Sequence, residues 1–264
     1  MFKQTSRVLM LVGALAALMI VPVASAQSGN AMVRVVHASP DAPAVDVYVD
    51  GASVVTNVPF FTASDYLMVP AGARRIQVTP TGQPASGAVI DATVTVEAGK
   101  AYSVAATGLV ANITATVTND NLATPAAGKA HVRVYHFSPD APAVDVKVAG
   151  GATLIPGLAF PNASAYLPVD AGTYNLQVTP AGASAVVIDL PNTNLESGKI
   201  YDVFANGQLA SIKATVATPA PVAAGSGTPS TLPSTGGSGL PVALMAVFAA
   251  LLLVGGLRLR RQLN

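Results

Sequence analysis

From about residue 30 to residue 220 the chain is written in bursts of five to eight residues rich in Val, Ile, Thr and Tyr. Each burst is stopped by Gly, Pro, Asn or Asp. That is the pattern of short strands joined by turns. Inside the bursts apolar and polar residues alternate with a period of two. In Val45-Asp46-Val47-Tyr48-Val49-Asp50 the valines fall on one face and the polar residues on the other. Val33, Val35 and His37 likewise share a face, as do Val132, Val134 and His136. No stretch carries a helical period. Strands are predicted near 32–38, 44–50, 53–58, 64–69, 73–79, 87–96, 101–107 and 112–118. Seven or eight such strands with regular turns predict an all-β fold, a two-sheet sandwich of immunoglobulin-like architecture. An antiparallel barrel is the alternative.

The pattern is written twice. Val33–Val47 reads VRVVHASPDAPAVDV and Val132–Val146 reads VRVYHFSPDAPAVDV, identical at 13 of 15 positions. Looser matches follow, among them Gln77-Val78-Thr79-Pro80 with Gln177-Val178-Thr179-Pro180, and Gly99-Lys100 with Gly198-Lys199. Two tandem domains are therefore expected, at 31–118 and 130–217, joined by a polar hinge at 119–129. Each is large enough for one small core. Ser39-Pro40-Asp41-Ala42-Pro43 reads as a turn. Pro40 pre-sets its first central position, and Ser39 and Asp41 can each satisfy a nearby backbone N–H. Ser138 to Pro142 repeats it.

The segment HxSPDAPxVDV, twice per chain, resembles a bacterial family of secreted β-domains of unknown function. The resemblance covers both repeats. It implies a β-sandwich on or outside the cell surface and implies no activity.

Both ends read as sorting devices. Lys3 and Arg7 precede an apolar run from Val8 to Val23. Ala24-Ser25-Ala26 then offers the small-x-small pattern of signal peptidase. Residues 1–26 are read as a signal peptide cleaved between Ala26 and Gln27. Gly239 to Leu257 is an uncharged run of 19 residues, enough to span ~30 Å of hydrocarbon as a helix. Arg258, Arg260 and Arg261 follow it, which places the tail inside and the repeats outside. Just before the span stand Leu232, Pro233, Ser234, Thr235 and Gly236. Motif, span and basic tail (232–264) together resemble the cell-wall sorting signal of Gram-positive surface proteins. The resemblance implies that a sortase thiolate attacks the carbonyl between Thr235 and Gly236 and joins Thr235 to peptidoglycan. Without a sortase the chain stays a single-pass membrane protein. Residues 218–231, uncharged Pro, Ala, Gly, Ser and Thr, form a spacer.

Composition then narrows the chemistry. Between residues 27 and 235 lie 9 Lys and Arg against 13 Asp and Glu, a net charge of −4. No basic face is available for nucleic acid. The absence of Cys excludes disulfides, a thiolate metal site and a thiol nucleophile. His37, Ser39 and Asp41 are the residue types of a nucleophilic triad, but a spacing this local does not favour that geometry. His37 and His136 are read as bonding their own turns. Asp41, Asp46 and Asp50 could suggest calcium. Asp50 becomes Ala149 in the second copy, however, and Asp41 and Asp140 are explained by the turn. Asp46 and Asp145 are read as solvated residues on the polar strand face. No catalytic residue, cofactor or metal is assigned.

The expected function is therefore a cell-surface structural or interaction protein, non-catalytic, displaying two sandwiches toward an unknown extracellular ligand. Its processing partners would be signal peptidase and sortase, and its anchor peptidoglycan or membrane. The alternative is a ligand-binding module for carbohydrate or peptide. Against sugar stacking stand seven Tyr, seven Phe and no Trp. An enzyme using His37 and His136 ranks third.

Overall fold

The period-two bursts form strands, except that the one expected at 64–69 is split into Thr62–Ala63 and Leu67–Pro70 and the one expected from residue 87 begins at Ile90, behind a 3-10 turn. The computed structural model describes residues 29–222. The signal segment 1–26 with its Ala26–Gln27 junction, the Leu232–Gly236 motif and the 239–257 span lie outside the described residues.

Repeat 1 comprises β1 (Asn30–His37), β2 (Val45–Val49), β3 (Ala52–Val58), β4 (Thr62–Ala63), β5 (Leu67–Pro70), β6 (Gly72–Pro80), β7 (Ile90–Val96), β8 (Ala101–Thr107) and β9 (Thr114–Asp120). Repeat 2 comprises β10 (Lys129–Phe137), β11 (Val144–Val148), β12 (Thr153–Leu158), β13 (Leu167–Asp170), β14 (Gly172–Pro180), β15 (Ile188–Leu195), β16 (Ile200–Asn206) and β17 (Lys213–Ala217). The only helical elements among the described residues are three short 3-10 turns.

Each repeat builds two sheets. In repeat 1 one sheet runs β3-β2-β6-β7. The other runs β4-β1-β8-β9, with β5 also on β1. In repeat 2 the orders are β12-β11-β14-β15 and β13-β10-β16-β17. All pairings between these strands are antiparallel except β1 with β8 and β10 with β16, which are parallel. In repeat 1 the inward faces of both sheets share one core, including Val33, Val35, Val47, Val78, Val94 and Val104.

Strands β1 and β8 are buried on both faces. Val33 and Val35 point into the core of repeat 1. Val36, Ala38 and Ala105 point the other way and pack against Tyr135, Phe137 and Phe204 of repeat 2. A strand covered on both sides reads as a near-continuous apolar run, and this explains why VRVVH breaks the alternation seen in β2. The two repeats thus meet sheet to sheet, β1 and β8 against β10 and β16. Tyr135 stacks on Phe204 with ring centroids 4.5 Å apart.

The connection 119–129 is drawn into this contact. Asp120 ends β9 with its side chain inaccessible to solvent, and Leu122 is buried. Beyond β17 the chain runs back beside it, and the Val222 N–H donates to the Leu122 carbonyl at 2.7 Å.

Candidate functional site

The repeated motif sits at the β1–β2 and β10–β11 turns, and its side chains bond backbone. His37 Nε2 lies 2.9 Å from the Pro43 carbonyl oxygen, and Nδ1 meets the Ser39 N–H at 3.4 Å. His136 does the same with Pro142 and Ser138, at 2.9 and 3.4 Å. Asp41 Oδ1 accepts the Val110 N–H at 2.8 Å, and Asp140 Oδ1 accepts the Leu209 N–H at the same distance. Those donors open the 3-10 turns between β8 and β9 and between β16 and β17. A carboxylate there satisfies an N–H the short turn leaves free. His37, Ser39 and Asp41 do not line up as a triad. Asp41 turns to Val110, and the Ser39 Oγ reaches it only at 3.4 Å.

Asp46, on the polar face by alternation, is 5% exposed rather than solvated. Its Oδ1 accepts the Asn57 N–H at 2.7 Å and its Oδ2 the Gly82 N–H at 2.9 Å. In repeat 2 Asp145 accepts from Gly157 at 2.8 Å and Gly182 at 3.0 Å. Between Val45↔Val58 and Val47↔Val55, β3 carries one extra residue, a bulge. Asn57 there takes φ 53°, and its counterpart Gly157 takes φ 60°. Asn and Gly are the residues that enter this region most readily. The carboxylate fastens the bulge on one side and the turn after β6 on the other. The Asn57 and Gly82 N–H groups hold Asp46 below the usual carboxylate range, and those of Gly182 and Gly157 do so for Asp145. Burial pushes the His37 imidazole down. Asp50 bonds Arg74 and the Arg75 N–H. Among the described residues no three His, Asp or Glu side chains cluster as metal ligands would.

A second constellation lies between the repeats, and sequence reasoning did not reach it. Arg34 on β1 is fully buried, and its Nη2 stands 2.6 Å from Asp202 Oδ2 on β16. Its Nε donates to Ser103 Oγ at 2.6 Å and its Nη2 to the Tyr135 hydroxyl at 3.0 Å. Asp120 collects four donors. Ser103 Oγ donates to it at 2.5 Å, Tyr66 OH at 2.7 Å, Tyr135 OH at 2.9 Å and Arg133 Nη1 at 3.0 Å. The guanidinium of Arg133 lies 4.9 Å from the Tyr135 ring centroid and 5.0 Å from that of Tyr166. Two cations thus face two carboxylates in a buried, aromatic-walled seam. Burial works against the charge of Arg34, but Asp202, Tyr135 and their neighbours outweigh it and hold the group protonated. Burial pushes the Asp202 carboxyl up, against the pull of Arg34. Burial also pushes the Tyr135 phenol up to about 12.

The parallel registers place these groups. Arg34 stands beside Ser103, and the equivalent Arg133 stands beside Asp202. The signal that could have exposed the seam is small. The two mismatches in the fifteen-residue motif are Val36 against Tyr135 and Ala38 against Phe137. Both positions face the other repeat.

Residues 31–147 and 147–229 match the family described as a domain of unknown function, DUF4397. The chain belongs to that family, as two tandem all-β repeats. No curated protein is significantly similar in sequence. Among the solved structures that do match is the Bacillus anthracis TIE protein. Its sequence is 9% identical, the TM-score is 0.21, and the match covers 69% of this chain and 34% of that one. The chain spans about a third of that structure's length, and a likeness this slight carries no argument.

Proposed function

We propose that the protein is a non-catalytic surface module: two immunoglobulin-like sandwiches fused into one stiff head and held at the cell envelope by the C-terminal LPSTG signal. The observation that carries the reading is the employment of the motif. His37, Asp41 and Asp46, with His136, Asp140 and Asp145, are bonded to backbone of their own repeat, so the most distinctive residues serve the fold. The immunoglobulin-like assignment of each repeat rests on two facing sheets with an apolar interior, antiparallel in every strand pairing but one.

The anchor is argued from sequence. Leu232–Gly236, the uncharged run from Gly239 and the three arginines follow one another in the order sorting requires. Peptidoglycan digestion and mass spectrometry of the C-terminal peptide test it. The expected peptide ends at Thr235 and carries a wall fragment. Recovery of residues 236–264 still joined to the repeats in the membrane fraction overturns peptidoglycan attachment.

A further inference from the structure

The two repeats differ inside as well as at the seam. In repeat 1, β6 and β7 pair without a break from Gly72↔Val96 to Val78↔Ile90. In repeat 2, Tyr174 faces Thr193 but Leu176 faces Leu190, so β15 carries one extra residue, a bulge at Pro191 and Asn192. Asn192 takes φ 53°, and its N–H turns to the Asn175 Oδ1 at 2.8 Å. The buried Val94 of repeat 1 corresponds to Thr193.

The consequence is a divided core. Repeat 1 has one continuous cluster. Repeat 2 has one cluster around Val134, Val146 and Ile188 and another around Val132 and Leu195. Between its sheets lies an apolar cavity of about 80 Å³, where repeat 1 leaves about 10 Å³. The hydroxyls of its lining are spent elsewhere. Tyr174 donates to the Asp170 carbonyl, Thr193 to the Leu190 carbonyl, and Tyr201 accepts the Glu196 N–H. Every other lining residue is aliphatic, so the cavity offers a water few of the 2–4 partners it needs. The edge at β17 is thinly covered. Val216 there lines the cavity and is 46% exposed, close to the 40% of its counterpart Val117, so the difference between the repeats lies in the strand itself. Strand β17 has five residues where β9 has seven, and it meets β15 less closely than β9 meets β7.

We infer that repeat 2 binds the end of a straight hydrocarbon chain, entering between β15 and β17. The slot is lined by aliphatic side chains such as Val134, Leu154, Leu176 and Val203, which suits a hydrocarbon chain. With no polar anchor in the slot, the occupant is an acyl tail whose head group stays outside in water.

Photo-crosslinking of the full-length chain in phosphatidylcholine vesicles tests it. One arm uses free dodecanoic acid bearing a terminal diazirine, the other a phosphatidylcholine with the same group on its acyl chain. Label is expected on peptides containing Leu190 and Val216 and not on those containing Ala92 and Val117 of repeat 1. The arm that gives this pattern identifies free acid or membrane lipid as the source. Ala205→Leu fills the slot and Ala214→Leu narrows its mouth. In either variant that keeps the wild-type circular dichroism spectrum, labelling of repeat 2 falls about tenfold, the effect of losing one or two buried methylenes. Equal labelling of both repeats, labelling confined to 239–257, or undiminished labelling in a folded variant overturns the inference.

Discussion

Arg34 ties one repeat to the other. It is buried on a strand face that otherwise carries Val36 and Ala38, and it touches Asp202 from the other repeat. Removing one partner of a buried pair leaves the other charge without compensation, at a cost of about 3–5 kcal/mol. Arg34→Met is expected to lower stability by that amount in urea denaturation, and adding Asp202→Asn to recover part of it. The motif aspartates make a different prediction. Asp46 and Asp145 titrate lower in the folded chain than in the unfolded one, so their stabilisation is present above the ordinary carboxylate value near 3.8 and is lost as pH falls below it. Asp46→Asn is therefore expected to flatten the fall in stability between about pH 5 and pH 3. His37 acts in a higher window. Its folded value lies below 6.5, so acidification below 6.5 favours the unfolded chain, and its ring resonances in NMR should titrate below that point.

At the scale of strands, β1 and β10 share a motif but not a role. The positions that differ put Val36 and Ala38 on one side of the contact and Tyr135 and Phe137 on the other, small residues beneath large ones. Copying the large pair onto β1, as Val36→Tyr or Ala38→Phe, is expected to overfill the contact and cost about 1–3 kcal/mol each. Phe204→Ala leaves a void and costs about 3–5 kcal/mol. Thermal unfolding monitored by circular dichroism measures both. The strands themselves were legible because a half-buried sheet writes its period directly into the sequence; β2 and β6 lie within a residue or two of where alternation puts them. The seam was not legible, because Arg34 and Tyr135 are 101 residues apart and each reads singly as an ordinary strand residue. Asp46 misled for a related reason. Alternation gives its face correctly, but the bulge at Asn57 that covers it is made by another strand.

At the scale of the molecule, the buried ionic seam makes the repeats one body. Calorimetry on the chain is expected to give a single cooperative transition for residues 29–222, and Arg34→Met to split or broaden it; two independent transitions in the wild-type chain would contradict a fused head. The seam also sets a limit on growth. Each repeat spends one sheet on its neighbour. The opposite sheet of repeat 1 turns Tyr48, Arg75 and Asp91 outward, with Arg75 and Asp91 bonded across it. A third copy would find no matching oily floor to sit on. The stack is terminated at a pair by its own outer surfaces, so it cannot grow by adding storeys.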